Sequence, residues 1–225
     1  MKIAVLLHGS GVYDGTEIQE AVLSLLAIKE EGHSYQCMAP NLDQYHVLNH
    51  LNGEEMQESR NVLVESARIA RGDIMDLKDV KINDFDALMM PGGFGTAKNF
   101  TTWAFDGPNA TINSSLESFL VGFQKAGKPI VALCMSPTTL AKAFEKSGLK
   151  TSLSIGTTSE KSPYEIEAIS SGMRSIGVNA EMKTVREISI DKTNKIICAP
   201  CYMMEADILE VRQNISQAVQ ALNEF

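Results

Sequence analysis

No histidine follows residue 50. The four in this chain of 225 residues are His8, His33, His46 and His50. A catalytic triad whose histidine comes from a later strand is therefore excluded. Positive charge is also short: 20 Lys and Arg stand against 28 Asp and Glu, a net charge of −8. Nucleic-acid binding calls for a basic face, so no nucleic-acid partner is expected. No apolar run approaches the roughly 18 residues of a membrane span, so no membrane partner is expected either. Cysteine is sparse. Cys37, Cys134, Cys198 and Cys201 are no disulfide framework in a chain of this length. The apolar stretch within Met1–His8 is too short for a signal-peptide core and has no small-residue cleavage site. The expectation is a soluble cytoplasmic protein with reduced thiols. Linkers, internal repeats and low-complexity tracts are lacking, which predicts one domain over 1–225 with a well-buried core.

What is present alternates. Short apolar segments at 3–7, 35–39, 87–90, 130–133 and 196–199 read as strands. Helical patterns fall between them, at 17–30, 61–71, 113–125, 138–146, 163–171 and 206–222. Strands alternating with helices predict a parallel sheet covered on both faces. Residues 185–190 and 196–199, joined by Asp191-Lys192-Thr193-Asn194-Lys195, predict a hairpin at the C-terminal edge. Thr16, with Gln19 three residues on, predicts a capping box at the start of the first helix.

Cys134 stands between the apolar run Ile130-Val131-Ala132-Leu133 and a helix start at Met135-Ser136-Pro137. A cysteine at such a turn has its sulfur held at the sheet edge on strained backbone, as in a nucleophile elbow. The helix N-terminus behind it favours the thiolate. A buried core cysteine is the competing reading. Pro91-Gly92-Gly93 follows another strand, and its bare N–H groups could join that of Met135 in an oxyanion hole. An ordinary strand-end turn explains it as well. Glu17, in the first turn after strand one, could reach the sulfur and carry protons, or simply favour the helix dipole. His8, at the end of strand one, is the one histidine placed near this edge; proton transfer and a satisfied strand-end position are both open. Ligands bind at the carboxyl ends of the strands in open α/β sheets, so the three segments are expected to converge.

Two other patterns carry less. Gly9-Ser10-Gly11-Val12-Tyr13-Asp14-Gly15 has its third glycine one residue late for a dinucleotide fingerprint, so no cofactor is expected. Cys198-Ala199-Pro200-Cys201 has no second metal pair. Core packing for Cys198 and a site-rim position for Cys201 are expected, with no metal. His46 and His50 lack a carboxylate on the same face.

Leu133-Cys134-Met135-Ser136-Pro137-Thr138 resembles the elbow of the ThiJ/PfpI superfamily. Pro91-Gly92-Gly93 and Glu17 match its glycine pair and site glutamate. The stretches at 11–18, 49–54, 60–63, 91–99 and 199–203 narrow the resemblance to the ElbB group, bacterial isoprenoid-biosynthesis proteins with an amidotransferase-like domain. The resemblance implies a single-domain, three-layer class I glutamine-amidotransferase-like (flavodoxin-like) fold. It also implies a cofactor-free glyoxalase, a lyase hydrating glyoxal to glycolate. Cys134 would form a hemithioacetal with a small carbonyl substrate. Glu17 would move the proton, and the Gly93 and Met135 amides would hold the oxyanion. Superfamily peptidases carry histidine where this chain has Met135, which argues against peptidase activity. Amidotransfer needs the missing histidine too. The alternative is a non-catalytic redox or metabolite sensor using the same cysteine. Superfamily members usually pair, so a homodimer is expected, with residues 41–60 as the candidate interface or lid.

Overall fold

The computed structural model describes residues 1–225. Nine strands and seven α-helices alternate along it. They are β1 (Lys2–Leu6), α1 (Ile18–Glu30), β2 (Ser34–Ala39), α2 (Val62–Ile69), β3 (Ile74–Asp76), β4 (Ala87–Met90), α3 (Trp103–Asp106), α4 (Ser114–Lys125), β5 (Ile130–Leu133), α5 (Ser136–Glu145), β6 (Ser152–Gly156), α6 (Ile166–Ser175), β7 (Asn179–Met182), β8 (Ser189–Asp191), β9 (Ile196–Ala199) and α7 (Ile208–Gln220). Seven strands form one sheet in the order β3-β2-β1-β4-β5-β9-β8, and β6 and β7 pair separately. Only β8, paired with β9, is antiparallel. β4, β5 and β9 are buried along their whole length. That is why they read as continuous apolar runs rather than alternating ones. α1 packs on α7 over one face of the sheet, and α4 packs on α5 over the other. One core of 53 residues runs from Ile3 to Leu222.

Strand order places the crevice. The chain winds outward from β1 through β2 to β3, then crosses back to β4 on the other side of β1. Between β1 and β4 the winding reverses, and at that switch point the loops after neighbouring strands part. The loops after β1, β4 and β5 all open there.

Three strands escaped the sequence reading. β3 is three residues long, and β6 and β7 (SLSIG and NAEM) are too polar or glycine-broken to show an apolar run. Boundaries moved for identifiable reasons. Thr16 does not cap α1, because its Oγ1 accepts the His8 N–H at 2.8 Å. Glu17 caps instead, accepting the Glu20 N–H. α6 starts at Ile166 rather than 163, since Ser162 Oγ holds the Tyr164 N–H in a turn at 2.9 Å. α5 begins at Ser136, within the helix start read at 135–137 and two residues before the pattern at 138–146, because Pro137 sits in the first turn, where no N–H is missed.

Candidate active site

Cys134 has φ 55°, a left-handed conformation that costs a non-glycine residue on the order of 1–3 kcal/mol. Its neighbours hold it there. The Cys134 N–H donates to Ala199 O at 2.9 Å, and Ser136 Oγ donates to Pro91 O at 2.6 Å. The elbow is thus tied to β9 on one side and to the loop after β4 on the other. Cys201, after β9, has φ 49°. The expected convergence is present: the Glu17 N–H donates to Gly92 O at 2.8 Å, joining the β1 and β4 loops beside the elbow.

The carboxylate against the sulfur is Glu20, not Glu17. Glu20 is fully buried. Its Oε2 accepts the Gly92 N–H at 2.9 Å and its Oε1 accepts the Tyr202 N–H at 3.2 Å, and the Cys134 thiol stands beside it: a Cβ on Gly92 would lie within 2.8 Å of both Oε2 and the sulfur. Glu17 lies one helical turn earlier, with its carboxylate spent on capping at 2.6 Å from the Glu20 N. Nothing in the sequence singled out Glu20: α1 carries apolar residues on every side, and it is burial alongside Ser24 and Ala27, at i, i+4 and i+7, that turns this acid inward.

Gly92 makes room for this pair. A Cβ there would lie 2.3 Å from Cys134 Cβ and 2.4 Å from Glu20 Oε2. The backbone N–H groups of Gly93 and Met135 face the sulfur, as the oxyanion reading requires. The Gly92 N–H does not; it is held by Glu20.

Protonation also departs from expectation. Burial, then the Glu20 charge, pushes the Cys134 thiol well above its ordinary range, and the Gly93 and Met135 amides only partly offset this. Desolvation disfavours the thiolate by more than the helix N-terminus favours it. Burial, then the Glu17 charge, raises Glu20 to about 8. Near neutral pH the pair is an uncharged thiol beside a mostly protonated carboxyl. Cys134 is also only 5% exposed.

His8 braces the loop from behind. Its Nε2 lies 3.1 Å from Pro91 O, the carbonyl that Ser136 also holds, and its Nδ1 has no partner. Burial lowers its pKa to about 4, so the ring is neutral. The one hydrogen bond of its ring is to backbone, and this placement gives no support to a proton-transfer role. Cys198 is buried core, as expected, but Cys201 is fully buried too and lies on no rim. No group of three or more His, Cys, Asp or Glu side chains is placed to hold a metal.

Two clefts are lined by neighbours of the site, though neither by Cys134 itself. One of ≈ 390 Å³ is lined by Glu17, Tyr164, Tyr202 and Glu205 among others. The other, ≈ 320 Å³, is apolar and is walled by Phe94, Trp103 and Met135. Phe94 and Tyr164 meet edge to face between them, ring centroids 5.5 Å apart. The largest cleft, ≈ 510 Å³, lies past the ends of β2 and β3 and contains none of these residues. Residues 41–60 fold back over the β1 loop: Leu48 N–H donates to Asp14 Oδ2 at 2.8 Å and His50 stacks on Tyr13 at 4.9 Å.

The fold is shared with known proteins. A family model described as the DJ-1/PfpI family matches residues 1–152. The whole chain aligns at 38% identity with 83% of the human glutamine amidotransferase-like class 1 domain-containing protein 3, mitochondrial. It aligns at 37% identity with 84% of the rat ES1 protein homolog, mitochondrial. A crystal structure of an isoprenoid biosynthesis protein with amidotransferase-like domain from Ehrlichia chaffeensis superposes with a TM-score of 0.88. That match is 32% identical and covers 100% of this chain and 99% of that one.

Proposed function

The chain belongs to the DJ-1/PfpI family, and on that premise we propose that it is a cofactor-free, glyoxalase-like enzyme converting glyoxal to glycolate through Cys134. The observation that carries the reading is the Glu20–Cys134 contact beneath the Gly93 and Met135 amides. A thiol, a proton carrier and two N–H donors share one small, dry space.

The fraction of Glu20 that is ionised takes the thiol proton as sulfur bonds to one aldehyde carbon. Glu20 then delivers that proton to the carbonyl oxygen held at the two amides, giving a hemithioacetal. Glu20 next removes the hydrogen from that carbon as a proton and returns it to the neighbouring carbon. The product is a hydroxyacetyl thioester on Cys134. Water cleaves the thioester, releasing glycolate and restoring the thiol. No external oxidant enters, because one carbon is oxidised as its neighbour is reduced. Glu17 and His8 set the loops and take no proton in this scheme.

Glycolate formation from glyoxal by the wild type, Cys134→Ser and Glu20→Gln tests the proposal. Cys134→Ser should abolish it, and Glu20→Gln should lower it by about a hundredfold or more. Turnover undiminished in Cys134→Ser would overturn the enzyme reading. One observation favours a second function: a protonated thiol only 5% exposed suits a slow sensor that binds a carbonyl metabolite or is oxidised. That reading expects no catalytic turnover and a stoichiometric adduct on Cys134. The human and rat relatives are named as mitochondrial. A cytoplasmic location for this chain is therefore a proposal resting on its four free cysteines. No helix is long and apolar enough to cross a membrane.

A further inference from the structure

The apolar cleft beside the elbow has no part in glyoxal chemistry, since glyoxal has no substituent to fill it. Its ≈ 320 Å³ is lined by ten residues, none of them charged. Two of its walls, Phe94 and Met135, are tied to the amides that face the sulfur. Met135 supplies one amide itself, and Phe94 directly follows Gly93, which supplies the other. A carbonyl bound at those amides therefore has the cleft next to it. Trp103 and Phe94 offer aromatic faces. Small residues on α6 keep the space open: Ala168 and Gly172 stand one helical turn apart on its side. A Cβ on Gly172 would come within 3.4 Å of Trp103 and 3.5 Å of Pro108. Glycine inside a helix is disfavoured relative to alanine by about 1 kcal/mol, so the gap at Gly172 carries a cost that the fold alone does not need.

We infer that this cleft is a substrate subsite for an aryl group, and that the preferred substrates of Cys134 are aryl-substituted 2-oxoaldehydes rather than glyoxal itself. This rests on the enzyme reading above and names its substrate class. The aldehyde carbon bonds to sulfur, its oxygen faces the Gly93 and Met135 amides, and the ring lies between Phe94, Trp103 and Ile169. The neighbouring cleft with Glu17 and Glu205 is acidic and suits a ring less well.

Trp103 is the only tryptophan, so its fluorescence reports on the cleft directly. Titration of the full-length protein with acetophenone, which holds the ring but lacks an aldehyde, should change that fluorescence saturably. Ala168→Phe places a ring at the cleft from an exposed position, and Gly172→Leu fills it from within the helix. Either variant should abolish the fluorescence response while leaving the melting temperature near wild type. In turnover, phenylglyoxal should exceed glyoxal in kcat/KM by roughly tenfold or more. Both variants should erase that preference and leave glyoxal turnover unchanged. No saturable response, or one that survives both substitutions, overturns the inference. So does equal kcat/KM for the two aldehydes. If the enzyme reading alone is wrong, turnover is absent or independent of Cys134, yet the Trp103 response and its loss in the variants still decide whether the cleft takes an aryl group.

Discussion

Cys134 and Glu20 share one desolvated space, and neither can ionise cheaply beside the other. The thiol should therefore alkylate slowly with iodoacetamide at pH 7, and faster at each higher pH. It should still lead the other three cysteines, which are at most 1% exposed against its 5%. Mass mapping of labelled peptides checks the order, and rapid labelling at pH 7 would mean a thiolate. Turnover should follow the ionised fraction of Glu20. kcat/KM should rise about tenfold per pH unit and level off near pH 8. Folding stability feels the same groups with opposite signs. Glu20 is raised from 4.5 to about 8 in the fold, so its contribution is full below pH 4.5 and is lost as pH rises through 8. His8 is lowered from 6.5 to about 4, so its contribution is full above pH 6.5 and is lost as pH falls through 4. Each effect is on the order of a few kcal/mol. The two slopes cancel between about pH 4.5 and 6.5, so calorimetry across pH 4–9 should show a plateau there and a melting temperature falling from about pH 6.5 to 8; no fall over that range would deny the burial of Glu20.

At the scale of elements, the site depends on how closely the β4 loop approaches the elbow and α1. Gly92 is the point of contact, and any Cβ there meets Cys134 and Glu20 below 2.5 Å. Gly92→Ala should cost about 1–3 kcal/mol of stability and abolish activity. Gly53→Ala, where a Cβ would meet nothing within 4 Å although the φ of 77° strains any side chain, should cost some stability yet leave turnover unchanged. Equal turnover in the two variants would deny the close approach. The strands that build the site were legible because β4, β5 and β9 are buried apolar runs ending in Pro91-Gly92-Gly93, Cys134 and Pro200-Cys201. β6 and β7 were not, because their pairing with each other, rather than their composition, makes them strands.

At the scale of the whole molecule, the expected homodimer has a better surface than residues 41–60. That segment is strapped to the β1 loop, and its exposed apolar residues Tyr45, Leu51 and Met56 are spread along it rather than gathered in a helical stripe. α1 instead exposes Ile18, Val22 and Leu26 at i, i+4 and i+8, a stripe that a two-fold axis could pair with itself. Light scattering should give twice 24.6 kDa. Val22→Arg should return the monomer mass, whereas Leu51→Arg should not. A wild-type mass of 24.6 kDa would exclude the dimer, and a Val22→Arg protein that still pairs would exclude α1 as its seam.

The alternating architecture and the parallel sheet were legible in the chain, and an elbow at Cys134 beside the Gly92-Gly93 turn was legible as one of two readings. Those features are local: an apolar run, a turn residue and a helix start are contiguous in the chain. It pointed to Glu17 because Glu17 stands first after the loop. Only the tertiary structure decided for Glu20, since which side of α1 faces the elbow depends on how that helix packs against α7 and the sheet. Protonation was decided there as well. A helix N-terminus is visible in a sequence, but the depth of burial that outweighs it is set by every element closing over the sulfur.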